Sequence, residues 1–295
     1  MVDAKKRPAG HLDLPFRTWI EYYQDALNLV HLTYGGLNSI DFRIELGDIL
    51  RGFRLEVERG RDQVLRDALL VKSRDAHREI DADYPVLHAH TLLGLWGALE
   101  RLIEDIFITS ILYEPSLLAH ERLSRVKLPV DVILGSGEDR ANAILAEFIR
   151  TIGADQKKGV GQFEALLKPV LLDGQVPRVV RDSVLLAQQI RHVWAHRGGV
   201  ADAKFVESCS SRASVGDKLL IGSSEFHHLS DGIQMYGLVV LNRHFLNSGM
   251  PIRTTIVPGY EGIWDEIGMG GNDINAEEDA PRDAPEGPLF SNEPW

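Results

Sequence analysis

The feature that most constrains this sequence is a segment that is apolar on nearly every side. After Pro85, residues 86–113 read VLHAHTLLGLWGALERLIEDIFITSILY. A helix that is hydrophobic all round must be covered by other elements, so it belongs at the centre of a bundle. The sequence therefore predicts a helical protein assembled around this segment.

Segments on both sides predict the helices that cover it. Residues 15–36 carry apolar and aromatic side chains at helical spacing and end in two glycines, a usual helix stop. Residues 41–80 predict one long amphipathic helix, or two helices that break near Gly60. Further helices are predicted over 139–152, over 177–196 and, amphipathic again, over 226–245.

The C-terminal part departs from this helical pattern. Residues 211–224 (SRASVGDKLLIGSS) predict two short strands around Val215-Gly216-Asp217, a small β-hairpin. The predicted fold class is mainly α, a helical bundle with this hairpin near its C-terminal end and a disordered acidic tail. We expect an N-terminal helical region over 1–80, a helical domain over 81–250 and a flexible acidic tail over 251–295.

Composition excludes several classes of protein. The single cysteine allows no internal disulfide and no CxxC zinc cluster. No run of about 18 apolar residues is present, and the N-terminal residues lack the apolar region of a secretory signal, so we expect a cytoplasmic protein without a membrane segment. The net charge is −11. Residues 271–295 hold seven acidic residues against one arginine, so the remaining −5 leaves room for a local basic site.

A cluster of cations precedes a glycine pair in QIRHVWAHRGG, residues 189–199. On a regular helix Arg191 and His196 lie about 140° apart, whereas His192 and His196, at i and i+4, share a face. The glycines predict the end of the helix. If the last turn unwinds near His196, Arg191 and His196 converge on one small anion.

Such a pair has the chemistry to cleave RNA. A histidine near pKa 6.5 exchanges a proton at neutral pH, and an arginine stabilises charge on a phosphate. When the nucleophile is the RNA's own 2′-hydroxyl, no metal is required. The alternative is structural, because the helix dipole favours cations in a last turn by about 0.3–1 kcal/mol each.

The stretch RHVWAHRGGVADAKF resembles the motif of the HEPN superfamily, an arginine, a polar residue, three further residues and a histidine. Arg191, His192 and His196 occupy these positions. The continuation through the glycines to Asp202 is similar to a bacterial branch with R-N-x-x-x-H-N-x-G-x-x-D, from which Arg197 departs. The resemblance includes the helix LLGLWGALERLIEDIFI but neither residues 1–80 nor the tail.

The resemblance implies a helical, metal-independent endoribonuclease of a toxin or antiviral defence system. In that scheme His196 acts as general acid or base, Arg191 stabilises the scissile phosphate and His192 orients the substrate. Glu100 or Glu104 would tune the arginine or the histidine. The family also implies a homodimer with the cleft between protomers, and a neutralising or sensor partner.

Two further residues are candidate RNA contacts. Trp194 can stack on a base or pack inside the bundle, and Arg197 carries a charge beside the histidine. The sequence predicts no cofactor and no metal site, because His88 and His90, like His227 and His228, point apart on a helix. The competing interpretation is a non-catalytic helical dimer that binds RNA, a nucleotide or a protein partner; an inert structural domain is a third.

Overall fold

The computed structural model describes residues 9–51, 56–153, 158–209, 212–255 and 257–270. It confirms a mainly α-helical fold. The helices are α1 (Asp13–Asn38), α2 (Ile40–Arg51), α3 (Glu56–Asp81), α4 (Pro85–Tyr113), α5 (Val130–Ile133), α6 (Gly137–Ile152), α7 (Val160–Leu167), α8 (Arg178–Arg197), α9 (Ala203–Ser208), α10 (Ser223–Ser248) and α11 (Ile263–Glu266). Single 3₁₀ turns occur at Ala9–Leu12, Pro115–Ala119 and Lys168–Val170.

The chain divides into two compact units. The first comprises Met1–Tyr23, Trp96–Gln188 and Asp231–Trp295, and the second comprises Gln24–Leu95 and Gln189–Ser230. Each unit has its own buried apolar residues. Those of the first include Phe16, Trp19, Trp96, Ile106, Phe107, Phe148, Phe163, Leu238 and Val239. Those of the second include Val30, Ala76, Leu92, Leu95, Ile190, Val193, Phe205, Leu219, Ile221, Phe226 and Leu229.

In the first unit, α10 is more deeply buried than its sequence predicts. Every residue from 235 to 245 is buried, including the polar side chains of Asn242, Arg243 and His244. Their burial is tolerated where hydrogen bonds replace those lost to water. The Arg243 guanidinium donates to the Glu164 carboxylate at 2.9 Å, and Asn242 exchanges two bonds with the backbone of Arg253. This part of α10 is therefore a central helix and not an amphipathic one.

The predicted helix end at Gly35-Gly36 is wrong, and Gly60 lies inside a helix. Helix α1 continues through Gly35 and Gly36 to Asn38, and α3 runs from Glu56 through Gly60 to Asp81. A glycine inside a helix costs only about 0.5–1 kcal/mol relative to alanine, which a helix of this length tolerates. Of the two alternatives for residues 41–80, the structure describes two helices, α2 and α3.

The predicted β-hairpin is also wrong: the described part of the chain contains no strand there, only an isolated antiparallel bridge between Val200 and Lys218. The turn itself exists, since Asp217 N–H donates to the Ser214 carbonyl at 3.1 Å. The residues after the turn pair with those that follow α8. Leu219 N–H donates to the Gly199 carbonyl and Ala201 N–H to the Asp217 carbonyl, each at 2.8 Å.

The segment after Pro251 begins with packed residues. Within 251–270, Tyr260, Ile263 and Trp264 are buried, and the Trp264 indole N–H donates to the Thr255 carbonyl at 3.1 Å. The remainder of the predicted acidic tail, 271–295, lies outside the described residues. Among the helices that are described, none combines the length and the apolar character needed to cross a membrane.

Candidate functional site

The motif lies at the C-terminal end of α8, in the second unit. The helix stays regular through His196 and ends at Arg197, so the expected unwinding near His196 does not occur. Gly198 and Gly199 then adopt left-handed φ values of 57° and 84°. These conformations suit glycine, which has no Cβ to collide with the backbone. The Gly199 N–H donates to the Val193 carbonyl at 3.2 Å and closes the helix end.

The regular helix determines the angle between the directions in which Arg191 and His196 project. Their Cα directions differ by about 140°, and exposed Ala195 projects between them, about 40° from Arg191. Arg191 is half-buried and His196 is exposed. One protomer therefore presents the arginine and the histidine about 140° apart around the helix, and not converging on one point.

His192 and His196 do come together, as their i, i+4 spacing predicts. Their ring centroids are 4.7 Å apart with an angle of 57° between the ring planes. The pKa of His192 is lowered, first by burial and then by the positive charges of His196 and Lys204. The lowered pKa keeps the His192 ring in its neutral form, which can accept a proton.

Asp202 has a structural role beside the motif. Its carboxylate caps α9 by accepting a hydrogen bond from the Phe205 N–H at 2.9 Å. The same carboxylate lies 3.7 Å from the Arg197 guanidinium. The motif's aspartate thus holds Arg197 near the loop that follows α8, which reduces the charge that Arg197 offers to a ligand.

Trp194 is enclosed by neighbours of the second unit. The Lys218 ammonium lies 4.5 Å from the centroid of the indole and donates to the Gly198 carbonyl. A Cβ at Gly199 would lie 2.8 Å from Trp194 Cε2, and the His90 ring is 6.2 Å away by centroids. The indole N–H is buried and has no hydrogen-bond partner in the described part of the chain. These contacts favour packing over base stacking for Trp194.

The two predicted carboxylates belong to the other unit. Glu100 and Glu104 lie half-buried on α4 within the first unit, whereas Arg191 and His196 lie in the second. Burial raises the pKa of Glu104, and Arg101, 3.9 Å away, opposes that shift. Arg101 also pairs with Asp105 at 2.6 Å. A role for either glutamate in tuning the motif stays a prediction.

Sequence reasoning missed a buried polar cluster in the second unit around His88. The His88 Nδ1–H donates to the Ile221 carbonyl oxygen at 2.7 Å. A carbonyl oxygen can only accept a hydrogen bond, so Nδ1 carries the proton. Nε2 is therefore the unprotonated nitrogen, and it accepts a hydrogen bond from the Tyr34 hydroxyl. Burial lowers the pKa of His88, and the ring stacks on Phe226 with centroids 4.7 Å apart.

The turn before His88 is strained. Asp83 and Tyr84 have φ values of 63° and 55°, a region that costs about 1–3 kcal/mol for residues other than glycine. The Asp83 carboxylate compensates by accepting hydrogen bonds from the Ser223 backbone N–H, at 2.6 Å, and from its hydroxyl at the start of α10. These bonds lower the pKa of Asp83. Pro85 was the one local signal of an unusual turn.

Within the described residues, no group of three or more His, Cys, Asp and Glu side chains lies close enough to hold a metal ion. Comparison with protein-family models, with curated proteins and with solved structures finds no match to this chain. The resemblance to the HEPN superfamily therefore rests on the residues of the motif itself.

Proposed function

We propose that this chain is a metal-independent endoribonuclease that acts through the end of α8. The observation that carries the proposal is the exposed His196, with the His192 ring 4.7 Å from it and the half-buried Arg191 on the same end of α8. Histidines and an arginine on one accessible helix end supply the proton-transfer groups and the phosphate-binding fork that RNA cleavage needs.

The proposed reaction is an internal transesterification. His196 takes the proton from the 2′-hydroxyl, the 2′-oxygen bonds to phosphorus, and the bond from phosphorus to the 5′-oxygen breaks. The leaving oxygen receives a proton from water, His196 returns to solvent the proton that it took, and His192 orients the substrate. The products are a 2′,3′-cyclic phosphate and a 5′-hydroxyl, with no net gain or loss of atoms. Arg191 stabilises the charge that develops on the phosphate oxygens.

A homodimer forms part of the proposal. Since the regular helix holds Arg191 and His196 about 140° apart, one protomer does not aim both at a single phosphate. Two copies of the motif facing each other would bring the arginine of one to the histidine of the other. The placement in a toxin or antiviral defence system, restrained by a neutralising or sensor partner, follows from the motif resemblance.

One observation favours the competing function, a non-catalytic helical dimer that binds RNA, a nucleotide or a protein partner. Arg197 is paired with Asp202 at 3.7 Å, and Trp194 is covered by Lys218, so both of the further RNA contacts expected from the sequence are engaged within the chain. A binding module needs only a positive surface, whereas catalysis needs the histidines free and aimed.

The test is cleavage of an end-labelled RNA of mixed sequence in EDTA. We expect wild type to cut and to leave cyclic-phosphate ends, and Arg191→Ala and His196→Ala to lose at least about a hundredfold in rate. Arg181→Ala, an exposed arginine on the same helix, and His228→Ala, an exposed histidine elsewhere, serve as matched controls and should cut like wild type.

A gel shift and sedimentation of the same samples separate the two functions. Wild type that binds RNA as a dimer but never cuts it would favour the binding module. Equal cutting by wild type and His196→Ala would show that the nuclease site is elsewhere or that a contaminant is active. Circular dichroism verifies that each variant is folded.

A further inference from the structure

We propose that His192 and His196 form a binding site for a single divalent transition-metal ion of the copper, nickel and zinc class, and that the bound ion blocks the motif. The binding claim stands on the geometry of the pair alone. The blocking claim rests on the proposed ribonuclease function.

The separation of the two rings matches that of a chelate. A metal–nitrogen bond of about 2.0–2.1 Å places the metal about 3.2 Å from the centre of an imidazole ring. Two such rings are then about 4.5 Å apart when the bonds meet at a right angle, as around Cu²⁺ or Ni²⁺, and about 5.2 Å at the tetrahedral angle of Zn²⁺. The observed 4.7 Å lies between these values.

The rings are also positioned and available. They project from successive turns at the end of α8, which runs as α-helix to Arg197, so the i, i+4 spacing is fixed before a metal arrives. In the part of the chain that the structure describes, neither imidazole has a hydrogen-bond partner. His196 is exposed and His192 is partly so, which leaves the remaining coordination positions to water.

Nearby charges set the strength of the site without abolishing it. Lys204 and Arg191 repel a cation, whereas the Asp202 carboxylate, 3.7 Å from Arg197, offsets part of that charge. A two-ligand site with these neighbours should be reversible and should follow the usual order, with Cu²⁺ bound more tightly than Ni²⁺ or Zn²⁺.

The chain contains an internal comparison for this geometry. His227 and His228 are both exposed on α10 but are adjacent in sequence, so their side chains diverge by about 100° and cannot share one ion. If metal affinity depended only on the number of histidines, removing a histidine from either pair would lower the affinity equally.

The bound metal blocks catalysis because it and the proton compete for one lone pair. A metal bound to the imidazole nitrogen that accepts the proton uses the same lone pair. His196 can then neither take a proton from the 2′-hydroxyl nor return one. We expect Cu²⁺ or Zn²⁺ to stop cleavage and EDTA to restore it.

The test is titration of the folded full chain with Cu²⁺ and, separately, Zn²⁺ by isothermal calorimetry, with cleavage of labelled RNA measured on the same samples. We expect one ion per chain, and at least about a tenfold loss of affinity in His192→Ala and in His196→Ala because each removes half of the chelate. His228→Ala should bind as wild type does.

Affinity that is equal in wild type and in both motif variants, or no binding by wild type, would overturn the proposal. Binding at the pair in a protein that never cuts RNA would leave the metal site intact and remove the ribonuclease function. Cleavage that continues while the pair is saturated with metal would overturn the blocking claim.

Discussion

His88 is completely buried, and its two ring nitrogens have different partners, the Ile221 carbonyl and the Tyr34 hydroxyl. In the neutral ring, which burial favours, Nδ1 carries the proton and Nε2 accepts from the Tyr34 hydroxyl. Burial lowers the pKa of His88, the charge of His227 adds to that shift, and Asp83 and Glu79 oppose it. The ring therefore makes stability depend on pH.

The sign of this dependence follows from the direction of the shift. The unfolded chain binds the proton near pH 6.5, while the folded protein binds it only at lower pH. The contribution of His88 to the free energy of unfolding is full above about pH 6.5 and is lost as the pH falls from there through the lowered folded pKa.

We predict that His88→Phe costs about 1–3 kcal/mol at pH 7.5, since it removes the donor to the Ile221 carbonyl and one of the hydrogen bonds of the Tyr34 hydroxyl, which also bonds to Ser223. Urea denaturation at pH 7.5 and at pH 5.5 measures the loss. The difference between wild type and variant should shrink at the lower pH. The control His90→Phe, at an exposed position two residues further along the same helix, should change little. A difference that stays constant or grows on acidification would contradict the assigned tautomer.

At the scale of the helices, the sequence predicted the types of most elements because each depends on a local pattern. Residues 86–113 are apolar on nearly all sides and form α4, and Arg178–Arg197 forms a helix that ends at the predicted glycine pair. The wrongly predicted helix end lies at glycines, which occur both inside helices and at their ends. A glycine pair ends α8 with positive φ values, whereas Gly35 and Gly36 continue α1 as helix. The sequence alone does not distinguish the two glycine pairs, because the contacts of the surrounding residues determine whether a helix ends at a glycine pair.

Gly35 and Gly36 therefore provide a test of where α1 ends. Both are exposed, and a Cβ added at either would meet no atom within 4 Å. We predict that Gly35→Ala and Gly36→Ala each raise the free energy of unfolding by about 0.5–1 kcal/mol, because alanine loses less conformational entropy in a helix. The same substitution at Gly198, where φ is 57°, should lower it. Destabilisation at both Gly35 and Gly36 would mean that the helix ends there.

At the scale of the whole chain, the contacts that sequence reasoning missed join residues far apart. Glu164 and Arg243 are separated by 79 positions, Tyr34 and His88 by 54, and Asp83 and Ser223 by 140. No periodic pattern relates such partners, because each pair is fixed only when separate helices pack. The motif on α8 was visible because its residues are consecutive. The exact geometry of Arg191 and His196 was not, since it depended on whether the last turn unwinds.

The Glu164–Arg243 pair shows how these distant contacts determine the stability of the first unit. Arg243 is 8% exposed at its side chain, and Glu164 also accepts hydrogen bonds from the Tyr236 hydroxyl and the Gly174 N–H, both at 2.8 Å. Removing one partner of a buried ion pair leaves an uncompensated charge, which costs about 3–5 kcal/mol. We predict a loss of that size for Glu164→Gln in urea denaturation.

The matched control is Glu147→Gln on α6, which breaks a glutamate–arginine pair of similar length. Arg150 lies 2.5 Å from Glu147, but the side chain of Arg150 is 76% exposed. Water screens that pair, so its loss should cost less than about 1 kcal/mol. Equal losses in the two variants would show that Arg243 retains water or another anion when Glu164 is removed. A larger loss for Glu164→Gln would show that the contribution of an ion pair to the free energy of unfolding depends on its burial, and not on the number of ion pairs.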